Sequence, residues 1–250
     1  MEDIVKFNGH SGCEIYLKKY PSGIPYVEKV GDVRRNIQRL WTLRMKGYPV
    51  PKVYVHSSNY FQMEYIHGLD IKTYLKHNTT KNLSKFIINI LERFSQNSIN
   101  KDYTETYHKK LEWLNDDHEF PFTKKELIDR LPKILPSSTY HGDMTLENLI
   151  STENGFYMID PVTIEYDSYI FDIAKMRQDM ECKWFLRNDN VKIDVKLKNL
   201  QQKILNRFPL ANDDSILILM LLRVIVHCDK NDFNYNFIKT NIEKLWKNLN

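Results

Sequence analysis

The stretch His141–Asp160, HGDMTLENLISTENGFYMID, decides how the rest of the chain is read. It sets His-Gly-Asp ahead of Asn148, five residues beyond Asp143, and it ends on Ile159-Asp160. Between them lie Leu149-Ile150, a polar run Ser151-Thr152-Glu153-Asn154-Gly155, and an apolar return Phe156-Tyr157-Met158-Ile159. Asn-Gly between two apolar runs predicts a β-hairpin. Such a hairpin brings together Asn148 at its entry and Asp160 at its exit. The spacing H-x-D-x-x-x-x-N, with a further Asp after a strand, is what phosphoryl transfer requires. One Asp orients the attacking hydroxyl and takes its proton, while the Asn and the second Asp hold metal ions on the nucleotide phosphates. Asp143 is then the candidate base, and Asn148 and Asp160 the candidate ligands of Mg2+, a hard cation that takes oxygen donors and keeps several waters. HGD alone is weak, because Asp and Asn are common turn residues. Five specified positions in one strand–turn–strand context are far more specific.

These residues resemble the aminoglycoside phosphotransferase and choline kinase group of small-molecule kinases. His-Gly-Asp in place of His-Arg-Asp favours that branch over the protein kinases. Within it the chain is similar to phosphotransferases predicted among bacterial capsule and surface-polysaccharide genes. The shared features are Gly9-His-Ser-Gly-Cys13, the HGD-Met-Thr-Leu-x-Asn-Leu run, Asp160-Pro161 and Asp172-Ile-Ala-Lys175. The resemblance implies an α+β, bilobal protein-kinase-like fold with a small β-rich N-lobe and a larger, mainly helical C-lobe. Residues 1–66 would be the nucleotide-binding lobe with its hinge, and residues 67–250 the catalytic and acceptor-binding lobe. It further implies Mg2+, with ATP or GTP as co-substrate, and transfer to a hydroxyl of a small molecule. A sugar or polyol of surface-glycan metabolism is the first choice of acceptor. The competing readings are a nucleotide-binding pseudokinase or scaffold module, and a protein kinase.

The composition is ordinary for a soluble globular protein. The chain has 250 residues, 42% apolar and 27% charged, with a net charge of +4. Lys and Arg are scattered, so no nucleic-acid-binding stripe emerges. Nor is the surface acidic, which counts against a strongly cationic aminoglycoside as acceptor. Cys13, Cys182 and Cys228 are widely spaced and odd in number, unlike a metal site or a disulfide framework. MEDIVKFNGH lacks the regions of a signal peptide. The apolar run Ile216–Val226 is interrupted by Arg223 and too short to span a bilayer, so it reads as a buried helix. A cytoplasmic location follows as the expectation. Oligomeric state is not legible.

Taken in order, Phe7–Cys13 followed by the alternating Glu14–Lys18 reads as a glycine-containing turn between strands, able to present backbone N–H groups to phosphates. Ser11 would sit at its tip, with Gly9 and Gly12 permitting close approach. Ile24–Val30 reads as the next strand. The resemblance assigns Lys29 there to the α- and β-phosphates, ahead of Lys18 or Lys19. Asp32–Lys46 is helically patterned and stops at Gly47. In the family this helix supplies a Glu to the strand lysine, and here it has none; Asn36 or Gln38 are the neutral substitutes. Strands at 52–56 and 60–66 follow, and Met63, Glu64, Tyr65 and Ile66 correspond to a hinge whose backbone would meet the purine. Beyond residue 69 the pattern is helical. Thr123-Lys-Lys-Glu126 reads as a capped helix start, and Asn115–Glu119 is an acidic cluster, read as a solvated loop in preference to a contact with a substrate hydroxyl or cation. His141 is expected to brace its loop. Asp160, standing before Pro161, is expected to be extended. Asp172 is expected to cap a helix and support the catalytic loop from behind.

Overall fold

The structure, a computed structural model, describes residues 3–7, 12–114 and 120–249. Gly9, Ser11 and the acidic stretch 115–119 lie outside the described residues. The chain divides into two compact units, Met1–Tyr74 with His141–Ile164, and Leu75–Tyr140 with Glu165–Asn250.

The first unit is built on five antiparallel strands, β1 (Asp3–Phe7), β2 (Glu14–Lys19), β3 (Pro25–Val30), β4 (Val53–His56) and β5 (Tyr60–Glu64), in the order β1-β2-β3-β5-β4. The two-residue period sorts their side chains. Tyr16, Glu28 and Gln62 stand opposite one another on one face, where Lys18 and Gln62 both donate to Glu28. Ile15, Lys29 and Phe61 share the other face. That placement leaves Lys29 only 1% exposed. Helix α1 (Arg34–Met45) buries Asn36, Leu40 and Leu43, spaced as one helical stripe. Gly47, at φ +72, follows its end.

A second sheet in this unit orders β10 (Gly155–Met158), β9 (Leu149–Thr152) and β6 (Leu69–Asp70). The hairpin forms as expected, but the turn differs. Thr152 pairs with Gly155, which puts Glu153 and Asn154 at the tip. Neither has a positive φ; the left-handed angle falls on Gly155, at +127. The Asn-Gly pair therefore does not form the two-residue type I′ turn, which needs positive φ at both central residues. Gly68 lets β6 approach β9, since a Cβ there would lie 2.2 Å from the Ser151 carbonyl oxygen.

The chain passes into the second unit within α2 (Ile71–His77). That unit contains α3 (Lys81–Ser95), α4 (Thr104–Lys110), α5 (Lys124–Arg130), α6 (Tyr169–Met180), α7 (Asp194–Arg207), α8 (Asp214–Ile225) and α9 (Phe233–Asn248). Helix α3 turns Leu83, Ile87, Ile90, Leu91 and Phe94 inward. Thr123 and Glu126 form the expected capping box of α5. Ile216–Leu222 of α8 is wholly buried, as its all-round apolar composition demands. A two-stranded ribbon, β7 (Ile99–Asp102) with β8 (Ile134–Ser137), was not legible; its Ile99 and Ile134 are exposed, so it carries no alternating apolar signal. Asp172 is not the cap of α6. Ser168 caps it, its hydroxyl accepting from Ile170 N at 3.2 Å, and Asp172 sits buried in the first turn.

Candidate active site

The loop before β9 organises itself around Asp143. Its carbonyl accepts from Thr145 N at 2.9 Å and from Asn148 Nδ2 at 2.8 Å. Asn148 Nδ2 also donates to the Asp143 carboxylate, Oδ2, at 3.2 Å. A short 3-10 turn, Leu146–Asn148, makes this return possible, since it folds Asn148 back over the residue five positions earlier. Gly142 permits the entry at φ +94, where a Cβ would stand 2.1 Å from the Val162 carbonyl oxygen.

His141 is fully buried, and its Nδ1 accepts from Asp143 N at 3.3 Å. The proton therefore resides on Nε2. Burial pushes the imidazole pKa down to about 4, against the opposing pull of the Asp143 and Asp160 charges and a backbone hydrogen bond with Ile159. At neutral pH the ring is uncharged, in contact with Asp143 N on one side and the Ile159 backbone on the other.

Downstream, each residue of the segment 159–163 is tied down within the first unit. Ile159 N donates to Asn148 O, Val162 N to His141 O and Thr163 N to Arg35 O. Pro161 has no N–H, and its carbonyl accepts from Asn36 Nδ2 at 3.0 Å. Asp160 Oδ1 receives two donors, Lys29 Nζ at 2.6 Å and Asn36 Nδ2 at 2.9 Å. Asp160 is not extended; it lies in the left-handed region at φ +52. The following proline disfavours the right-handed helical angles, and Asp is among the few side chains that accept the left-handed ones. A non-glycine residue held there by its surroundings is typical of functional sites.

Lys29, Asp143, Asn148 and Asp160 are thus gathered in one compact unit. Lys29 pairs with Asp160 rather than with a helix residue. Gln38 is exposed, and Asn36 serves the lysine's carboxylate partner instead of the lysine. That role was missed; the available signal was an amide on the buried stripe of α1. Gly12, at φ +70, is the described part of the glycine turn. Met63 is buried in β5, and Tyr65 and Ile66 are half-buried beyond its end. Glu64 N is committed to Lys52 O at 2.8 Å. Asp172 is buried in the second unit.

The donor set suits Mg2+. Asn148 spends its Nδ2 on Asp143, leaving Oδ1 as the atom that could serve a metal ion. Asp160 Oδ2 accepts no hydrogen bond among the described residues, and the side chain keeps 35% of its exposure. No cluster of three or more His, Cys, Asp or Glu that could hold a metal occurs among the described residues. Two oxygen ligands suffice where phosphates and waters complete the octahedron.

Fold and donor arrangement together define a kinase-like phosphotransferase of the small-molecule type. The chain belongs to the phosphotransferase enzyme family, whose model it matches over residues 5–191. Solved structures share its fold at low identity. A candidate fructosamine-3-kinase of Thermobifida fusca is 15% identical with a TM-score of 0.61, covering 98% of this chain and 92% of that one. Choline kinase of Cryptosporidium parvum is 13% identical with a TM-score of 0.59, covering 98% and 89%. A glucosamine kinase in complex with glucosamine, ADP and phosphate is 10% identical with a TM-score of 0.58, covering 100% and 96%. No curated protein matches the sequence.

Proposed function

We propose that the protein transfers the γ-phosphoryl group of ATP or GTP, with Mg2+, to a hydroxyl of a sugar or polyol. Surface-glycan metabolism in the cytoplasm is the setting this reading favours. One observation carries it: the Asn148 amide clamps the backbone and carboxylate of Asp143 while turning its own oxygen the other way. In this reading a single side chain would both hold the base and supply a metal ligand. In the reaction the acceptor oxygen bonds to the γ-phosphorus as the bond to the β,γ-bridging oxygen breaks. The hydroxyl proton passes to Asp143, and the nucleoside diphosphate leaves. Asn148 and Asp160 would hold the Mg2+, which supplies charge neutralisation along the phosphates. Lys29 would add a further positive charge, so that positioning and electrostatics supply most of the acceleration.

The division of labour follows the lobes read from the sequence, with nucleotide on residues 1–66 and acceptor on residues 67–250. Gly9, Ser11 and Gly12 would cover the phosphates. Met63–Ile66 would meet the base. Because Glu64 N is already paired, the donor to the purine would fall to Tyr65 or Ile66. His141 would brace the loop that carries Asp143, and Asp172 would have a supporting rather than a ligating role. The supporting comparison is the sugar-phosphorylating neighbour, the glucosamine kinase.

Thermal unfolding with Mg-ATP and Mg-GTP tests the nucleotide site. Ligand at a hundred times its dissociation constant adds about 2.7 kcal/mol. For a chain of this length the midpoint then rises by about 5–10 °C. The rise should require Mg2+ and vanish in Asp160→Ala. A stable, folded native chain that responds to neither nucleotide would move the scaffold reading to the front. With binding established, a panel of sugars, polyols, choline and aminoglycosides identifies the acceptor, and turnover of the cationic compounds alone would overturn the sugar assignment.

A further inference from the structure

Helix α1 has no acidic residue from Arg34 to Met45, so the buried ammonium of Lys29 finds no carboxylate there. It turns to Asp160 instead. The helix nevertheless reaches the same atom through a neutral group. Asn36, 7% exposed, uses one amide hydrogen on Asp160 Oδ1 and the other on the Pro161 carbonyl. A single amide therefore holds both a side chain and the next residue's backbone, just where the proline removes an N–H and Asp160 adopts a left-handed angle. Both of its donors are spent, and they are spent on the metal-ligand segment. One residue earlier, the Arg35 carbonyl anchors Thr163 N.

Two donors on Oδ1 fix the plane of the carboxylate and direct Oδ2 outward. When a polyphosphate arrives, its charge competes with Asp160 for Lys29. Asn36 carries no charge and has no such competitor, so it keeps its hold on Asp160 whichever partner the lysine takes. A carboxylate at this position would repel Asp160 and contend with it for Lys29; an amide donates without doing either.

We propose that Asn36 is a positioning residue that presents Asp160 Oδ2 to the metal ion. It substitutes for the missing helix carboxylate by serving the metal ligand rather than the lysine. This rests on the phosphotransferase reading above. Groups that orient metal ligands typically change metal affinity by about 10- to 100-fold when lost.

The test measures binding by calorimetry, with the full chain, the non-hydrolysable nucleotide AMP-PNP and Mn2+ as the probe cation. The native chain, Asn36→Ala, Asn36→Asp and Asp160→Ala are compared, each checked for folding by its unfolding midpoint. Asn36→Ala is expected to weaken Mn2+ binding to the AMP-PNP complex by about 10- to 100-fold, while metal-free nucleotide affinity changes by less than about threefold. Asn36→Asp, the same shape with its two donors replaced by an acceptor, should lose metal affinity as well, and it carries the test if the alanine variant fails to fold. Unchanged or tighter Mn2+ binding in a folded variant overturns the proposal. So does an equal loss of metal-free and metal-dependent nucleotide binding, the mark of a general structural disturbance. Absence of Mn-AMP-PNP binding in the native chain overturns the phosphotransferase reading itself, so the two failures are distinguishable.

Discussion

Asp143 and His141 stand two residues apart and answer to opposite tests. The Asp143 carboxylate is clamped by Asn148 and half-exposed, and in the proposed scheme it would accept the hydroxyl proton. Replacing it with Ala should lower the turnover rate by about 10²- to 10⁴-fold, the usual span of general-base catalysis, in a protein that still binds Mg-nucleotide. A loss under tenfold would remove it from the role. His141 touches no substrate in this scheme, so its mark is on stability. Its folded pKa of about 4 lies below the ordinary 6.5 because burial disfavours the charged ring. The unfolded chain therefore binds more protons between these values, and stability falls as the pH drops through that window. The contribution is fully present above pH 6.5 and lost progressively toward pH 4, on the order of 3 kcal/mol in total. His141→Gln keeps an acceptor and a donor but does not titrate there. Denaturant midpoints measured from pH 7.5 to 4 should fall less steeply for this variant than for the native chain; parallel curves would show that the imidazole is not buried neutral.

At the scale of elements, backbone geometry sets what the catalytic loop tolerates. Gly142→Ala would meet both a positive φ and the Val162 carbonyl oxygen at 2.1 Å, whereas Gly155→Ala, at φ +127, meets open space. Both should destabilise. Gly142→Ala should cost more, about 3 kcal/mol or above against about 1–2 for Gly155→Ala, because only the first adds a clash that backbone must move to relieve. Equal unfolding midpoints would refute the close approach. The same elements show what the sequence could carry. The β9–β10 hairpin, the existence of α1 and the Thr123–Glu126 box were legible because they are local patterns. Long-range pairs were not: the join of Asn36 to Asp160 spans the chain and has no periodic trace, and the β7–β8 ribbon buries too little to impose alternation. The left-handed angle of Asp160 was misread from a sound local rule. Excluding the right-handed region before a proline leaves two alternatives, and Lys29, Asn36 and the anchors at 159–163 select the rarer one.

For the whole molecule, the division of the chain makes a prediction that no single site does. The candidate catalytic groups belong to the unit formed by residues 1–74 and 141–164, although 66 residues of the other unit intervene in sequence. Nucleotide binding should therefore protect amides selectively. Hydrogen exchange with and without Mg-AMP-PNP should slow most in β3, in the loop 141–148 and in the segment 159–163, whose opening must release bound ligand. Ile216–Leu222 of α8 is buried throughout without any ligand, so its exchange should change little by comparison. Protection that rises mainly in α7, α8 and α9, with β3 and residues 141–163 unaffected, would place the nucleotide in the second unit and dissolve the assignment of Lys29, Asn148 and Asp160. An acceptor sugar added afterwards should give a second increment within residues 67–249, since that range carries the acceptor in the proposed scheme. If that increment instead fell wholly on residues 12–66, the acceptor assignment would fail while the nucleotide assignment stood, because the nucleotide response is measured before the sugar is added.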